Sequence, residues 1–229
     1  MKSPLRVLIV GHGRMGRLVA ALGPEHGVDI VGSVTKASAP DAATWPAADV
    51  AIDFSTAEAV PANALRLAAR GVSLVIGTTG WQRDELALRE DLAGHDVGVI
   101  AAPNFAIGVN LFLAIAERSA QLLAARGFAS WIHEAHHAAK KDAPSGTALA
   151  IQRVVEAAGA AVDVSSTRAG HIPGTHTLGF DSPAETITLT HTARDRTAFA
   201  RGALEAAKWL DGRVGWFTMR DMLGLNAEL

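Results

Sequence analysis

The side chains best suited to moving protons in this sequence of 229 residues lie within one short stretch, residues 136–141, which reads His-His-Ala-Ala-Lys-Lys. Imidazole groups exchange protons near neutral pH, and lysine ammonium groups donate protons and attract anions. A histidine pair or a lysine pair alone is more often a surface feature. Four such groups within six positions indicate a site of general acid/base chemistry.

The residues that follow, Pro144-Ser145-Gly146-Thr147, form a turn signal in front of a helical pattern of apolar residues that ends near Gly159. Ser145 or Thr147 can cap this helix with its side-chain oxygen. Free backbone N–H groups and the helix dipole make such an N-terminus a binding site for a carboxylate or a phosphate. The sequence therefore predicts an anion site next to the proton donors.

A competing interpretation is a zinc hydrolase, because residues 133–137 read His-Glu-Ala-His-His and match the H-E-x-x-H pattern. That pattern requires a helix, on which His133 and His137 share one face and Glu134 acts as the general base. Here an aromatic and β-branched run precedes the motif and Pro144 follows it, which favours a strand. On a strand the two histidines would lie about 13 Å apart at roughly 3.3 Å per residue. The sequence therefore predicts no metal at this position.

The surrounding fold must hold these groups, and its first recognisable part is a nucleotide-binding turn. Residues 5–10 are an almost wholly apolar run, typical of a strand buried in a parallel sheet. They lead directly into a G-x-G-x-x-G pattern, Gly11-His12-Gly13-Arg14-Met15-Gly16, and then into an apolar-periodic helix. The three glycines permit a tight turn, the approach of a pyrophosphate, and close packing of the helix on the strand. We therefore predict that these six residues bind a dinucleotide.

The end of the second predicted strand, residues 28–34, bears on which dinucleotide is bound. An NAD-preferring site usually has an Asp or Glu there, which binds the ribose 2′-hydroxyl. This sequence has Thr35 and Lys36 instead. A hydroxyl and a cation suit a 2′-phosphate better than a ribose diol, so NADPH is the expected cofactor, with NADH as the alternative.

Three further strands, alternating with helices, are predicted before residue 102. The helix after the first of them is expected to be capped by Ser55-Thr56. The later two strands end in Gly77-Thr78-Thr79-Gly80 and in Ala102-Pro103-Asn104-Phe105. Open α/β sheets bind ligands at the edge where such strands end, so both loops are predicted to contact a nicotinamide.

A second domain is predicted to begin at the long apolar helix that runs from Ile107 to Ala125. Short strand-like runs follow at residues 162–167, 175–180 and 186–191. The last run alternates apolar and threonine side chains, so the sheet should have one covered and one polar face, and oligomerisation commonly buries such a sheet. The predicted fold class is α/β: a Rossmann-type parallel sheet that binds a dinucleotide, plus an α+β substrate and oligomerisation domain with a mostly open sheet.

The composition limits the possible partners. Hydrophobic residues make up 49% of the chain, and the absence of cysteine excludes disulfides, thiol nucleophiles and cysteine-bound metals. The net charge of −2, with no basic cluster beyond Lys140-Lys141, predicts binding to neither nucleic acid nor membranes. No signal peptide or long apolar span is recognised, so a cytoplasmic location is expected. The expected partners are small molecules and other copies of the chain.

Several motifs together resemble one known family. The most specific is Glu134-Ala135-His136-His137 with Lys140 and the run from Asp142 to Ala148. Supporting matches are Gly13 to Gly16, Gly77 to Gly80, Ala102 to Phe105 with Gly108-Val109-Asn110, and Arg168 to His176, a loop that by itself could reach the anion site or only turn the chain. With these motifs the sequence resembles, along nearly its whole length, the 4-hydroxy-tetrahydrodipicolinate (dihydrodipicolinate) reductases of bacterial lysine and diaminopimelate biosynthesis.

The resemblance implies an NAD(P)H-dependent enzyme, usually a homotetramer. Residues 1–106 and 196–229 would form the dinucleotide-binding domain, and residues 107–195 would form the substrate-binding and tetramerisation domain. Residues 11–16, 77–79 and 102–105 would line the nicotinamide cofactor.

The resemblance also implies individual roles in the second domain. His136 would be the acid/base residue and Lys140 the proton donor. His137 would bind the substrate, and Gly146 and Thr147 would hold one of its carboxylates.

Three departures from the family pattern bear on the cofactor: a glycine turn one residue shorter than the common form, no acidic residue after the second strand, and a compact substrate domain. They are expected to alter cofactor choice rather than to abolish activity. A third interpretation, a catalytically silent NADP(H) sensor, is disfavoured because a sensor needs no proton donors at His136, His137 and Lys140.

Overall fold

The N-terminal apolar run forms a central strand, and a regular alternation of strands and helices follows it. The computed structural model describes residues 3–37 and 42–226. The first part of the chain contains β1 Leu5–Val10, α1 Arg14–Leu22, β2 Val28–Val34, β3 Val50–Asp53, α2 Val60–Ala68, β4 Ser73–Ile76, α3 Glu85–Leu92 and β5 Gly98–Ala101. The second part contains α4 Ile107–Ala124, β6 Ala129–His136, α5 Gly146–Ala157, β7 Val162–Arg168, β8 Thr175–Asp181 and β9 Thr186–Thr192. The last part contains α6 Thr197–Leu210, β10 Gly215–Phe217 and α7 Met219–Met222.

The chain divides into two compact units. Unit 1 takes the described residues up to Ala106 and those from Thr197 onward, and unit 2 takes Ile107–Arg196.

Unit 1 is built on a six-stranded parallel sheet in the order β10-β5-β4-β3-β1-β2. Its central strands are buried on both faces, as their unbroken apolar sequences predict. All six strands point the same way, so the loops after β1 to β5 leave the sheet at one edge. The Rossmann-type part of the predicted fold class is confirmed.

The connection from β2 to β3 contains no α-helix in its described part, 35–37 and 42–49, and has only a 3-10 turn at Ala42–Thr44. Trp45 fills the core where a crossover helix would otherwise pack. The Arg70 guanidinium donates to the carbonyl oxygens of Ala42 and Trp45 at 2.9 and 2.8 Å. A buried aromatic ring and a charged donor therefore replace the missing helix.

Unit 2 contains a four-stranded mixed sheet in the order β7-β6-β8-β9, in which β6 runs parallel to β7 and antiparallel to β8. Helices α4 and α5 cover one face and form a core with the sheet, and threonine side chains of β9 lie exposed. The α+β part of the predicted fold class is confirmed.

Helix α4 is long and apolar enough to cross a bilayer by length and composition, which the sequence analysis did not recognise. Its side chains Phe112, Ala116 and Ala120 are buried in the core of unit 2. In the single chain 22% of the helix is buried, so these contacts place one side of it in the core of unit 2.

Candidate active site

Strand β6 places two titratable side chains on the face of the sheet that α5 covers. Side chains alternate between the faces of a strand, so Glu134 and His136 lie on the same face as the buried Ile132. His133 lies on the other face and contacts Ser165 Oγ through Nδ1 at 3.1 Å. His133 to His136 of the H-E-x-x-H pattern lie on β6 and His137 follows it directly, so the pattern forms no helix, as predicted. The zinc-hydrolase geometry is ruled out because it needs a helix and because His133 faces away from Glu134.

The pairing register brings β7 and β8 residues to this pair. His176 of β8 lies opposite Glu134, and Arg168 of β7 lies opposite His136. The Glu134 carboxylate accepts hydrogen bonds from Arg168 at 2.7 and 3.0 Å and is also bonded to His136 Nδ1. The imidazoles of His136 and His176 meet edge to face, with ring centroids 5.1 Å apart. The run from Arg168 to His176 thus reaches the site with both of its ends, Arg168 on β7 and His176 on β8, and does not only turn the chain.

The N-terminus of α5 lies against the same cluster. Ser145 is the N-cap residue, and its Oγ accepts the N–H of Ala148 at 3.2 Å, as one of the two predicted caps requires. The backbone N–H of Ser145 donates to Glu134 Oε1 at 3.3 Å. The Ser145 hydroxyl also lies 2.9 Å from His176 Nε2. The predicted anion site is therefore attached to the histidine cluster through hydrogen bonds.

The segment between β6 and α5 carries the remaining predicted residues of unit 2. Lys140 Nζ donates to both oxygens of Asp142 at 2.8 Å, with its side chain 22% exposed. His137 and Thr147 are half-buried, and Gly146 is exposed. Nothing lies within 4 Å of the position that a Cβ on Gly146 would take, so the start of α5 is open for an anion. His171, in the loop after β7, is exposed.

The electrostatic environment separates the pKa values of the buried groups. Burial alone would raise the pKa of the Glu134 carboxyl, but hydrogen bonds from Arg168, Ser166 and His136 lower it to about 2. Burial, reinforced by the charge of His136, lowers the pKa of His176 to about 4. Burial also lowers the pKa of His136, against the opposing effect of Glu134. Glu134 is therefore an anion and His176 a neutral imidazole at neutral pH.

Glu134, His136 and His176 are close enough to form a metal site, because one potential ligand atom of each lies within 4.8 Å of the others. However, the Arg168 guanidinium donates to both carboxylate oxygens. A divalent cation bound to Glu134 would lie next to this guanidinium or would have to displace it. The contacts therefore favour an ion pair of Glu134 with Arg168 over a metal site.

The predicted cofactor residues of unit 1 lie at one edge of the six-stranded sheet. The loops after β1, β4 and β5 start with Gly11, Gly77 and Ala102, and β2 ends just before Thr35 and Lys36. A Cβ on Gly11 would lie 2.5 Å from the Phe54 carbonyl oxygen, and one on Gly16 would lie 1.9 Å from the Gly11 carbonyl oxygen. Only glycine fits at these two positions, as the motif predicts.

The outer side of the glycine turn is open. Gly13, the N-cap of α1, makes no side-chain cap bond, and a Cβ there would meet nothing within 4 Å. His12, Gly13 and Arg14 are exposed, Met15 is half-buried, and His12 Nδ1 lies 3.2 Å from Ser33 Oγ. An uncapped helix N-terminus with an open approach fits the pyrophosphate of a dinucleotide.

The loop after β5 is held by α6. Asn104 Oδ1 accepts the N–H of Ala106 at 2.9 Å, and Phe105 is buried while Pro103 is exposed. A Cβ on Gly202 of α6 would lie 1.7 Å from the Phe105 carbonyl oxygen, so the helix packs directly on the loop backbone.

Asp53, at the end of β3, connects the loop after β3 with the loop after β4. The sequence analysis did not identify this residue. It is only 2% exposed, and its carboxylate accepts from Ser55 N and Oγ, Thr78 Oγ1 and Asn63 Nδ2 at 2.6–3.2 Å. Of the predicted helix cap Ser55-Thr56, Thr56 lies at the N-cap of a 3-10 turn, Ala57–Ala59, that leads directly into α2, but it makes no side-chain cap bond. The Ser55 hydroxyl donates to Asp53 instead. The sequence signal that could have identified Asp53 is a carboxylate at the end of an otherwise apolar strand.

A parallel sheet with this glycine turn, joined to a unit in which acid/base side chains lie beside a helix N-terminus, defines a two-unit oxidoreductase of the dinucleotide-binding class. Residues 5–105 match the family described as dihydrodipicolinate reductase, N-terminus, and residues 108–223 match dihydrodipicolinate reductase, C-terminus. The chain therefore belongs to the dihydrodipicolinate reductase family, and the resemblance seen in its motifs is confirmed.

Individual relatives span nearly the whole chain. The 4-hydroxy-tetrahydrodipicolinate reductase of Acidiphilium cryptum (strain JF-5) is 42% identical and covers 97% of this chain and 99% of its own length. That of Stenotrophomonas maltophilia (strain R551-3) is 40% identical, with the same coverage. Among solved structures, the dipicolinate-bound dihydrodipicolinate reductase from Paenisporosarcina sp. TG-14 shares the fold, with a TM-score of 0.78, 22% identity, and coverage of 94% of this chain and 97% of its own.

Proposed function

We propose that this protein catalyses the NAD(P)H-dependent reduction of 4-hydroxy-tetrahydrodipicolinate to tetrahydrodipicolinate, a step of lysine and diaminopimelate biosynthesis in the cytoplasm. The observation that carries the proposal is the cluster in unit 2. A half-buried imidazole, an ammonium group and an open helix N-terminus come from one stretch of chain, His136 to Thr147. A dicarboxylate that must gain a proton needs these three groups.

The reaction adds one hydride and one proton to a ring. Loss of water from the hydroxylated substrate leaves a conjugated cyclic imine dicarboxylate. The loops at the edge of the six-stranded sheet would hold a nicotinamide, which would supply the hydride for an electron-poor ring carbon. An electron-rich ring carbon then takes up a proton, for which Lys140 and His136 are the donors.

The Lys140 side chain is held in a fixed position, as a proton donor requires. Its ammonium group is held by both oxygens of Asp142, and only a fifth of its side chain is exposed. The hydrogen bond from Lys140 in turn lowers the pKa of the Asp142 carboxyl. Asp142 thus holds the Lys140 side chain in place through two hydrogen bonds.

The substrate carboxylate is assigned to the first turn of α5. Ser145 Oγ already accepts one backbone N–H of this turn, from Ala148. The backbone N–H groups of Gly146 and Thr147 remain at the helix terminus, with the Thr147 hydroxyl as a further donor. His137, half-buried next to His136, is assigned to bind the substrate as well.

Unit 1 is assigned to the cofactor, with NADPH as the preferred form. The residues of the assigned cofactor site are Gly11, His12, Gly13, Arg14, Met15, Gly16, Thr35, Lys36, Gly77, Thr78, Thr79, Ala102, Pro103, Asn104 and Phe105. Thr35 and Lys36 follow β2 and are exposed, where a hydroxyl and a cation can meet a 2′-phosphate.

Unit 2 is assigned to substrate binding and to tetramer formation. Leu111 and Ile115 of α4 and Ile187 of β9 are large apolar side chains that are between 39% and 52% exposed in the single chain. Association of four copies through unit 2 would bury such surface.

The test is oxidation of NADPH and, separately, NADH, followed at 340 nm with substrate generated in place by the preceding synthase from pyruvate and aspartate semialdehyde. We expect oxidation only when both precursors are present, and a faster rate with NADPH. Protein that binds NADPH but oxidises neither cofactor under these conditions would exclude this substrate.

A further inference from the structure

Glu134 is a fully buried carboxylate in contact with three separate elements of unit 2. On its own strand it is bonded to His136 Nδ1, from β7 it accepts two hydrogen bonds from Arg168, and from the start of α5 it accepts the Ser145 N–H. Burying a charge is costly unless it is paired, and a hydrophobic side chain of similar size is often at least as stabilising. A carboxylate at this position therefore has a reason other than stability, and its bond to His136, the proposed acid/base residue, provides one.

The contact with Nδ1 determines which nitrogen of His136 carries a fixed proton. Because hydrogen bonds from Arg168, Ser166 and His136 overcome the effect of burial, the pKa of Glu134 is lowered to about 2 and its oxygens can only accept. Nδ1 must therefore be the protonated nitrogen that faces Glu134. Nε2 is then the nitrogen that can exchange a proton with a substrate.

The same carboxylate also holds the start of the helix assigned to the substrate carboxylate. Ser145 N donates to Glu134 Oε1, while Arg168 donates both to Glu134 and to the carbonyl oxygen of Asp142, at 2.5 Å. Asp142 in turn binds Lys140. The ion pair of Glu134 and Arg168 is therefore in contact with the segments that carry the imidazole of His136, the ammonium group of Lys140 and the N-terminus of α5.

We propose that Glu134 and Arg168 are positioning residues, which fix His136 with Nε2 as its acid/base atom and hold the Lys140 segment and the start of α5 in place around it. The proposal rests on the proposed function for its kinetic consequence but not for the state of the imidazole. Neither side chain is required to touch the substrate.

The titratable and charged groups that face His136 define how it should titrate. They are Glu134 on its own strand, Arg168 on β7, His176 on β8, and Lys140 with Asp142 in the segment that follows. Glu134 raises the pKa of His136, whereas Lys140 and Arg168 lower it. Removing the negative charge of Glu134 should therefore lower the pKa of His136 further.

The test compares Glu134→Gln with the wild type by nitrogen-15 NMR of the histidine rings and by kinetics. We expect the wild-type His136 ring to be protonated on Nδ1 in its neutral form. In Glu134→Gln we expect a lower His136 pKa, kcat reduced roughly 10- to 100-fold, and KM changed much less, because supporting residues of this kind usually cost that much activity. The high-pH limb of the kcat profile should move to lower pH.

Two further variants separate positioning from folding. Glu134→Gln combined with Arg168→Gln removes both charges and leaves two amides that can bond to each other, so it should fold while kcat stays low. The pKa of His136 should be lowered less than in the single variant, because the Arg168 charge that also lowers it is removed. Glu156→Gln, an exposed carboxylate on α5, is the matched control and should change nothing.

Two results would overturn the proposal: a folded Glu134→Gln enzyme with unchanged titration of His136, or a double variant with wild-type kcat and pH profile. The NMR result is independent of turnover. If the wild-type protein proved inactive with this substrate while the ring titrated as expected, the proposed function would fail and the positioning of His136 would stand.

Discussion

The Nε2 atom of His176 lies 2.9 Å from the Oγ atom of Ser145, so a buried imidazole is bonded to the residue that caps α5. His176 is only 4% exposed, and its other ring nitrogen, Nδ1, has no hydrogen-bond partner among the described residues. Protonation would place a charge on a ring that has little solvent and one neutral partner. This geometry makes the stability of unit 2 sensitive to acid.

We predict that His176 makes the free energy of unfolding fall between pH 6.5 and pH 4. Burial and the charge of His136 lower its pKa from 6.5 to about 4, so the unfolded chain binds more protons in this window and acidification favours unfolding. The size of the effect is on the order of 3 kcal/mol. Calorimetric unfolding of His176→Gln should show a weaker dependence on pH than the wild type. His171→Gln, exposed in the loop before β8, should retain the wild-type dependence, and equal slopes for both variants would contradict the assignment.

Lys140→Ala should lower kcat about 10²- to 10⁴-fold, the usual contribution of a proton donor, with NADPH binding unchanged. Lys141 is the matched control because it is the neighbouring lysine and is exposed. Steady-state kinetics and the quenching of protein fluorescence by NADPH measure the two effects. Equal losses in Lys140→Ala and Lys141→Ala would show that general positive charge matters and that proton donation by Lys140 does not.

His136→Ala should likewise lower kcat strongly, whereas His133→Ala should not. The two histidines belong to the same strand, but His133 is on the opposite face and contacts Ser165. Both variants remove an imidazole from the same strand, so a difference between their kcat values reports the face on which the imidazole lies. A loss of kcat in His133→Ala as large as that in His136→Ala would refute the assignment of roles on β6.

Asp53→Ala should weaken both the fold of unit 1 and its binding of the cofactor. The change leaves the donors of Ser55, Thr78 and Asn63 without their buried acceptor, which should cost about 3 kcal/mol of unfolding free energy. Because Thr78 lies in a predicted cofactor loop, the Kd for NADPH should rise as well. Urea unfolding and fluorescence titration are the measurements. Asp29→Asn, an exposed carboxylate on β2, is the control, and a normal Kd in folded Asp53→Ala would separate Asp53 from cofactor binding.

Lys36→Ala should raise the KM for NADPH roughly tenfold or more and leave that for NADH unchanged, since a hydrogen bond to a charged group contributes about 1.5–3 kcal/mol. The control is Lys208→Ala, a lysine on α6 that lies outside the predicted cofactor residues. Rates with both cofactors give the preference directly. If the ratio of the two KM values stayed constant, the 2′-phosphate would have to be recognised elsewhere.

Features that depend on local patterns could be predicted from the order of the amino acids alone. The glycine turn and β1 were predicted correctly, and Ser145 is one of the two caps predicted for α5. Each depends on neighbouring residues: sterically required glycines, an unbroken apolar run, and a hydroxyl three residues before the N–H that it accepts. The strand at His133 to His136 was also predicted, because β-branched and aromatic residues outweighed a short metal motif.

The contacts between distant side chains could not be predicted in this way, because they depend on how the strands pair. Arg168 and His176 lie 34 and 42 positions beyond Glu134, and they reach it because of the register in which β7 and β8 pair with β6. Register between strands is set by packing of the whole sheet and leaves no short-range pattern in the chain. Strand β10 was not predicted for the same reason, because this three-residue strand is defined only by its pairing with β5.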